Sequence, residues 1–175
     1  MGYTTDFYGE FNLNKPLTEA HKNYLEKFAE MRRMKRDAGV ASKMDDPIRI
    51  AAGLPIGTEG GYFVNGAGDF GQDNDASVTN SNYPPAGQPG LWCHWVPNSE
   101  GTAIIWDGGE KFYEYVDWIE YLIENFLKPW GYVLNGEVEW IGEDSGDRGM
   151  IAIINNVVRI KVAKITYEFI DKESE

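Results

Sequence analysis

Apolar positions alternate at the start of the chain. Across residues 3–13, Tyr3, Thr5, Phe7, Gly9 and Phe11 fall on one side, the period of a half-buried strand. Asn14-Lys15-Pro16 ends that run. Thr18 then stands where a helix N-cap belongs, and Leu17, Ala20, Tyr24, Leu25, Phe28 and Met31 recur near a 3.6-residue period. This predicts a helix over 18–36, stopped by Asp37-Ala38-Gly39. Between Val40 and Gly90 the pattern dissolves into a Gly-, Pro- and Asn-rich loop region. Residues 53–90 hold nine of the 20 glycines, with short strands expected at 61–65 and 76–79. A hairpin follows, 91–96 with 102–107. A helix over 110–128 then carries Phe112, Tyr115, Val116, Ile119, Leu122, Ile123, Phe126 and Leu127 on one face, and Pro129 stops it. Strands at 133–142, 148–155 and 157–169 close the chain, the last two joined through Asn155-Asn156. Residues 171–175 form a polar, frayed tail.

This order predicts one α+β domain: an antiparallel sheet of about five to six strands with two main helices on one face. A chain of 175 residues is long enough for a core without disulfides or metal. The single cysteine, Cys93, excludes an internal disulfide framework and a cysteine-based zinc site. No apolar run reaches the length of a membrane span, and the first residues lack the basic and apolar segments of a signal peptide. Asp6 also stands where a myristoylation signal would carry Ser or Thr. A cytoplasmic location is therefore expected.

The formal net charge of −12 disfavours nucleic acid and anionic membranes as partners, because both are recognised through cations. Catalytic constellations are weak. Gly66 to Gly71 spells G-x-G-x-x-G but runs into Gln72-Asp73-Asn74-Asp75, which neither starts a helix nor welcomes phosphate. Asp69, Asp73 and Asp75 lack the spacing of a calcium loop. Cys93 and His94 are adjacent, so on a strand they point to opposite faces; the other histidine, His21, sits at the edge of the first helix stripe. The carboxylate pairs Glu137/Glu139 and Glu143/Asp144 read as acidic surface. No metal and no cofactor are expected.

Recognition is better provided for. The helix over 110–128 carries Tyr113, Asp117, Glu120, Tyr121 and Glu124 opposite its apolar face, with Trp118 at the flank. Aromatics among carboxylates suit a protein interface, unless a second layer of the protein covers them. Residues 18–36 hold six basic and three acidic side chains, and Arg32, Arg33, Lys35 and Arg36 crowd the end of that segment. They offer a second, basic contact. Trp92, Trp95 and Trp106 cluster around the hairpin and would line a ligand pocket.

Several blocks also resemble a family. MGYTTDFYGEF, with Pro16-Leu17, His21, Tyr24-Leu25, Phe28 and Arg32-Arg33-Met34, resembles a family of small proteins encoded by bacteriophages, prophages and mobile elements. GQPGLWCHWVP (87–97), GTAIIWDGGEKFY (101–113) and the run from FLKPWGYVLNGEVEW to GEDSGDRG resemble the same family. Residues 41–54 stand apart as an insertion. These relatives are similar to antitoxins paired with toxic small alarmone-synthetase-like enzymes, which transfer pyrophosphate from ATP and modify tRNA. The resemblance implies a non-enzymatic inhibitor that binds a basic toxin directly. The alternative readings are a phage anti-defence protein that holds a nucleotide-type signal against the three tryptophans, and a small metal enzyme built on the acidic loop.

Overall fold

The computed structural model describes residues 2–66 and 75–172. Its architecture is α+β. Six strands form one antiparallel sheet in the order β4-β5-β1-β6-β7-β8: β1 is Thr5–Leu13, β4 Trp95–Pro97, β5 Ala103–Trp106, β6 Leu134–Gly142, β7 Arg148–Ile154 and β8 Val157–Val162. A second sheet pairs β2 (Lys35–Arg36) with β3 (Val78–Asn80). The helices are α1 (Glu19–Glu30), α2 (Ala38–Ala41), α3 (Pro47–Ala51) and α4 (Tyr115–Leu122), which continues as a π-helical turn over Ile123–Leu127.

The alternation read in the sequence sets which face is buried. Thr5, Phe7 and Phe11 of β1 point inward, whereas Asp6, Tyr8, Glu10 and Asn12 face out. Leu134, Val138 and Trp140 of β6 and Ile151 and Ile153 of β7 continue the same inner face. Tyr24, Leu25 and Phe28 of α1 and Trp118, Ile119 and Leu122 of α4 pack onto it in one aromatic-rich core. Phe7 alone meets the rings of Trp95, Trp106, Phe112 and Tyr115 edge-on or tilted at 4.9–5.7 Å between centroids.

The hairpin expected at 91–96 and 102–107 is shorter, Trp95–Pro97 with Ala103–Trp106, and three further boundaries differ from the sequence expectation. First, α1 ends at Glu30, and Met31 is extended. The chain beyond it pairs with the long loop: Arg33 N donates to Leu91 O, Lys35 N to Tyr83 O and Asp37 N to Ser77 O. Second, α4 begins at Tyr115 rather than at residue 110. Lys111 (φ 60°) and Glu114 (φ 55°) are left-handed, and the bend between them inserts Phe112 into the core. Third, the last strand stops at Val162. Residues 163–170 are exposed along their whole length. The turn before β8 is as expected, with Asn155 and Asn156 both at positive φ and Ile154 paired to Val157.

Of the two strands expected in the loop region, 76–79 corresponds to β3, whereas 61–65 forms no strand. Among the described residues, no helix is long and apolar enough to cross a membrane.

Candidate functional site

Arg32, Arg33, Lys35 and Arg36 do not form a basic contact surface. Arg33 and Arg36 are only 2% and 3% exposed, and all four side chains bind the loop they face. Arg33 donates from Nη2 to the carbonyls of Gly61 (2.8 Å) and Phe63 (2.9 Å) and lies over the Phe28 ring. Arg36 pairs with Asp75 at 2.9 Å and donates to Ser77 Oγ. Arg32 donates to Ser81 O, and Lys35 pairs with Glu59. Their charge is spent inside the protein, fastening a segment too poor in apolar residues to fasten itself. Asp75 thereby serves as a structural partner. Asp69, Asp73 and most of the G-x-G-x-x-G stretch lie outside the described residues. Among the described residues, no group of three or more potential metal ligands comes together.

The expected interface helix divides into buried and open parts. Trp118 belongs to the core at 0% exposure, against Phe28 and Tyr121; among the described residues its indole nitrogen has no hydrogen-bond partner. Tyr121 is mostly covered. It stacks on Phe28, its hydroxyl accepts from Gln88 Nε2 at 3.0 Å, and burial pushes that hydroxyl up to about 12. The second layer over Tyr121 is thus the protein's own loop. Tyr113 remains half exposed, its hydroxyl accepting from Tyr3 N at 3.0 Å. Asp117, Glu120 and Glu124 are exposed. Together with Tyr121, Gly87 and Pro89 they line a cavity of about 390 Å³.

A second cavity, of about 520 Å³, adjoins the first at Pro89. Its lining includes Trp92, His94, Glu110, Lys111, Tyr113 and Glu114. Of the three hairpin tryptophans, only Trp92 reaches it. Trp95 and Trp106 are opposite partners on β4 and β5, and both turn toward Phe7. The Trp95 indole donates to Tyr115 O and that of Trp106 to Gly109 O, so the three rings do not form one pocket.

His94 had no partner apparent in sequence, but the hairpin brings Asp107 beside it. Its Nδ1 lies 3.0 Å from both carboxylate oxygens. Asp107 also accepts from Gly109 N at 2.7 Å, and a Cβ on Gly109 would stand 2.5 Å from that imidazole nitrogen. Glu114 shares a hydrogen bond with the Asp117 carboxylate, which raises its carboxyl above the ordinary value. Cys93, next to His94 in the chain, is fully buried, and burial pushes its thiol up to about 12, which does not suit it to act as a nucleophile.

The far side of α4 meets the edge of the sheet. Val158, Ile160 and Val162 of β8 sit opposite Ile153, Ile151 and Gly149, and so continue the inner face. Val158 is partly buried against the core, whereas Ile160 is 54% and Val162 70% exposed. One cleft there is lined by Glu114, Asp117, Trp140 and Ile160, another by Glu120, Glu124, Val157 and Val158. Beyond β8, Ile165, Tyr167, Phe169 and Ile170 are exposed, with Tyr167 at 95% and Phe169 at 108%.

Comparison with protein-family models, curated proteins and solved structures gives no match. The candidate site therefore stands on its geometry.

Proposed function

We propose that this protein works by binding another protein, as an inhibitor rather than an enzyme, and that its partner is a basic toxin of the small alarmone-synthetase-like class. The uncovered apolar face of β8 and of the chain after it carries the reading. A soluble protein rarely exposes a contiguous run of large apolar side chains without a partner to cover it, and an open sheet edge is otherwise a liability. The run from Val157 to Ile170 has both features.

The carboxylates of α4 border this face, since the clefts flanking β8 are lined by Glu114, Asp117, Glu120 and Glu124. An apolar strip beside an acidic helix fits a partner with a cationic rim. The net charge of −12 would speed its encounter with an enzyme that binds ATP and tRNA. The resemblance of several sequence blocks to a family of small phage- and prophage-encoded proteins, whose relatives are similar to antitoxins, supplies the class of partner. The nucleotide-sequestering alternative has less support, because Glu110 and Glu114 beside Trp92 oppose a phosphate.

Co-expression with a neighbouring alarmone-synthetase-like toxin tests the proposal. The full chain is expected to relieve growth arrest and to co-purify with the toxin. A chain ending at Val162, and the double variant Glu120→Lys/Glu124→Lys, should each weaken capture by about tenfold or more. Full capture by both variants would remove this surface from the mechanism, and failure of the intact chain to bind or neutralise would remove the mechanism itself.

A further inference from the structure

We propose that the cavity beside Trp92 is a receptor for a guanidinium group, either an arginine side chain of a protein partner or a free arginine-like molecule. The inference deepens the protein-binding reading by naming the chemistry one part of the surface would take.

Trp92 and Tyr113 supply aromatic surface, and Glu110 and Glu114 supply carboxylates in the same lining. His94 lies in the same lining, its Nδ1 3.0 Å from both carboxylate oxygens of Asp107. A ligand here therefore meets aromatic surface and carboxylate acceptors. Cations are drawn to both, and a planar guanidinium with several N–H donors can stack on an indole while it donates in its own plane. A lysine ammonium satisfies the charge but not the stacking.

Among the described residues, Lys111 is the one lysine or arginine in the lining. Its stem is packed against Gly2 so closely that any side chain on Gly2 would overlap it. One ammonium against two carboxylates leaves the cavity negative, which turns away phosphates and carboxylates. The same short segment holds Lys111 and Glu114 at positive φ, a strained conformation for residues with a side chain that gathers at ligand sites. Here it fixes Glu110, Tyr113 and Glu114 around the opening while Phe112 anchors the bend in the core.

The test uses the full chain and N-acetyl-arginine amide as the probe, followed by the indole N–H resonance of Trp92, which is assigned by its loss in Trp92→Phe. Saturable shifts of that resonance are expected, with N-acetyl-lysine amide about fivefold weaker and AMP inactive. Glu110→Gln with Glu114→Gln should weaken arginine binding by about tenfold while the rest of the spectrum stays in place. An unshifted Trp92, preference for AMP, or unchanged affinity in the double variant would overturn the proposal. Capture of the toxin by Trp92→Ala separates the sources. Reduced capture together with arginine binding assigns the guanidinium to the protein partner. Wild-type capture assigns it to a free molecule, and the receptor stands in both cases. If arginine binds but the intact chain captures no toxin, the partner reading fails and the receptor survives.

Discussion

Arg33 and Gln88 meet on a single acceptor. Arg33 Nη2 donates to the carbonyl oxygen of Gly61 at 2.8 Å, and Gln88 Nε2 donates to the same oxygen at 2.7 Å. Arg33 Nε reaches back to Gln88 Oε1 at 3.3 Å, and Gln88 also holds the Tyr121 hydroxyl. One buried cation thus ties the chain after α1 to both ends of the long loop and, through Gln88, to the helix that borders the candidate site.

That arrangement predicts unequal roles for neighbouring cations. Among the described residues no carboxylate pairs with Arg33, so its guanidinium is held by carbonyls, Gln88 and the Phe28 face. Arg33→Ala removes charge-assisted bonds and takes a donor from the carbonyls of Gly61 and Phe63; it should cost about 3 kcal/mol or more. Lys35→Ala breaks only a partly exposed pair with Glu59 and should cost under about 1 kcal/mol. Urea unfolding midpoints check both, and equal losses would contradict the assignment of Arg33 as the loop's anchor.

Stability should fall on the alkaline side. Burial raises the Cys93 thiol from 9.0 to about 12, and the hydroxyls of Tyr115 and Tyr121 from 10.0 to about 12. From pH 9 upward the unfolded chain releases protons that the folded chain retains, so unfolding is favoured as pH rises. The contribution is complete below pH 9 and lost as pH passes 12. Melting temperatures measured from pH 8 to 11 should decline from about pH 9 in the wild type, and from about pH 10 in Cys93→Ala. A flat profile would rule this out.

Two nearby glycines should behave oppositely. A side chain on Gly149 would overlap the Trp140 ring and the Lys161 carbonyl, at the point where β7 holds β8. Gly149→Ala should therefore destabilise by about 1–3 kcal/mol. Gly146 has nothing within 4 Å of the same position, and Gly146→Ala should be close to neutral. Thermal unfolding distinguishes the two.

Ending the chain at Val162 should leave the fold intact. Residues 163–170 are exposed throughout and add nothing to the buried core, so the loss should stay within about 0.5 kcal/mol. A larger drop in the unfolding midpoint would mean that the segment supports the fold, and its exposed apolar side chains would then need no partner to explain them.

Much of the fold was legible along the chain because its periods are local. Alternation placed β1 and chose its buried face, the strands at 133–142 and 148–155 correspond to β6 and β7, and Pro129 and the Asn155-Asn156 step marked where elements stop. The α+β class followed from their order. The candidate site was less legible. Arg33 and Arg36 look like surface cations at the end of a helix, and only the paired loop makes them internal. Trp118 and Tyr121 share a helical spacing with Asp117 and Glu120, yet Trp118 is core and Tyr121 lies under Gln88. His94 and Asp107 are 13 residues apart and meet only because their strands pair.

The sequence by itself determined the periodic elements, the charge balance and the acidic character of the last long helix, since these depend on a residue and its near neighbours. The tertiary structure decided which cations are buried, which tryptophan borders a cavity and which apolar strand is left uncovered. Each of those depends on contacts between segments far apart in the chain, and a hydrophobic or charged side chain carries no local mark of whether such a contact will cover it.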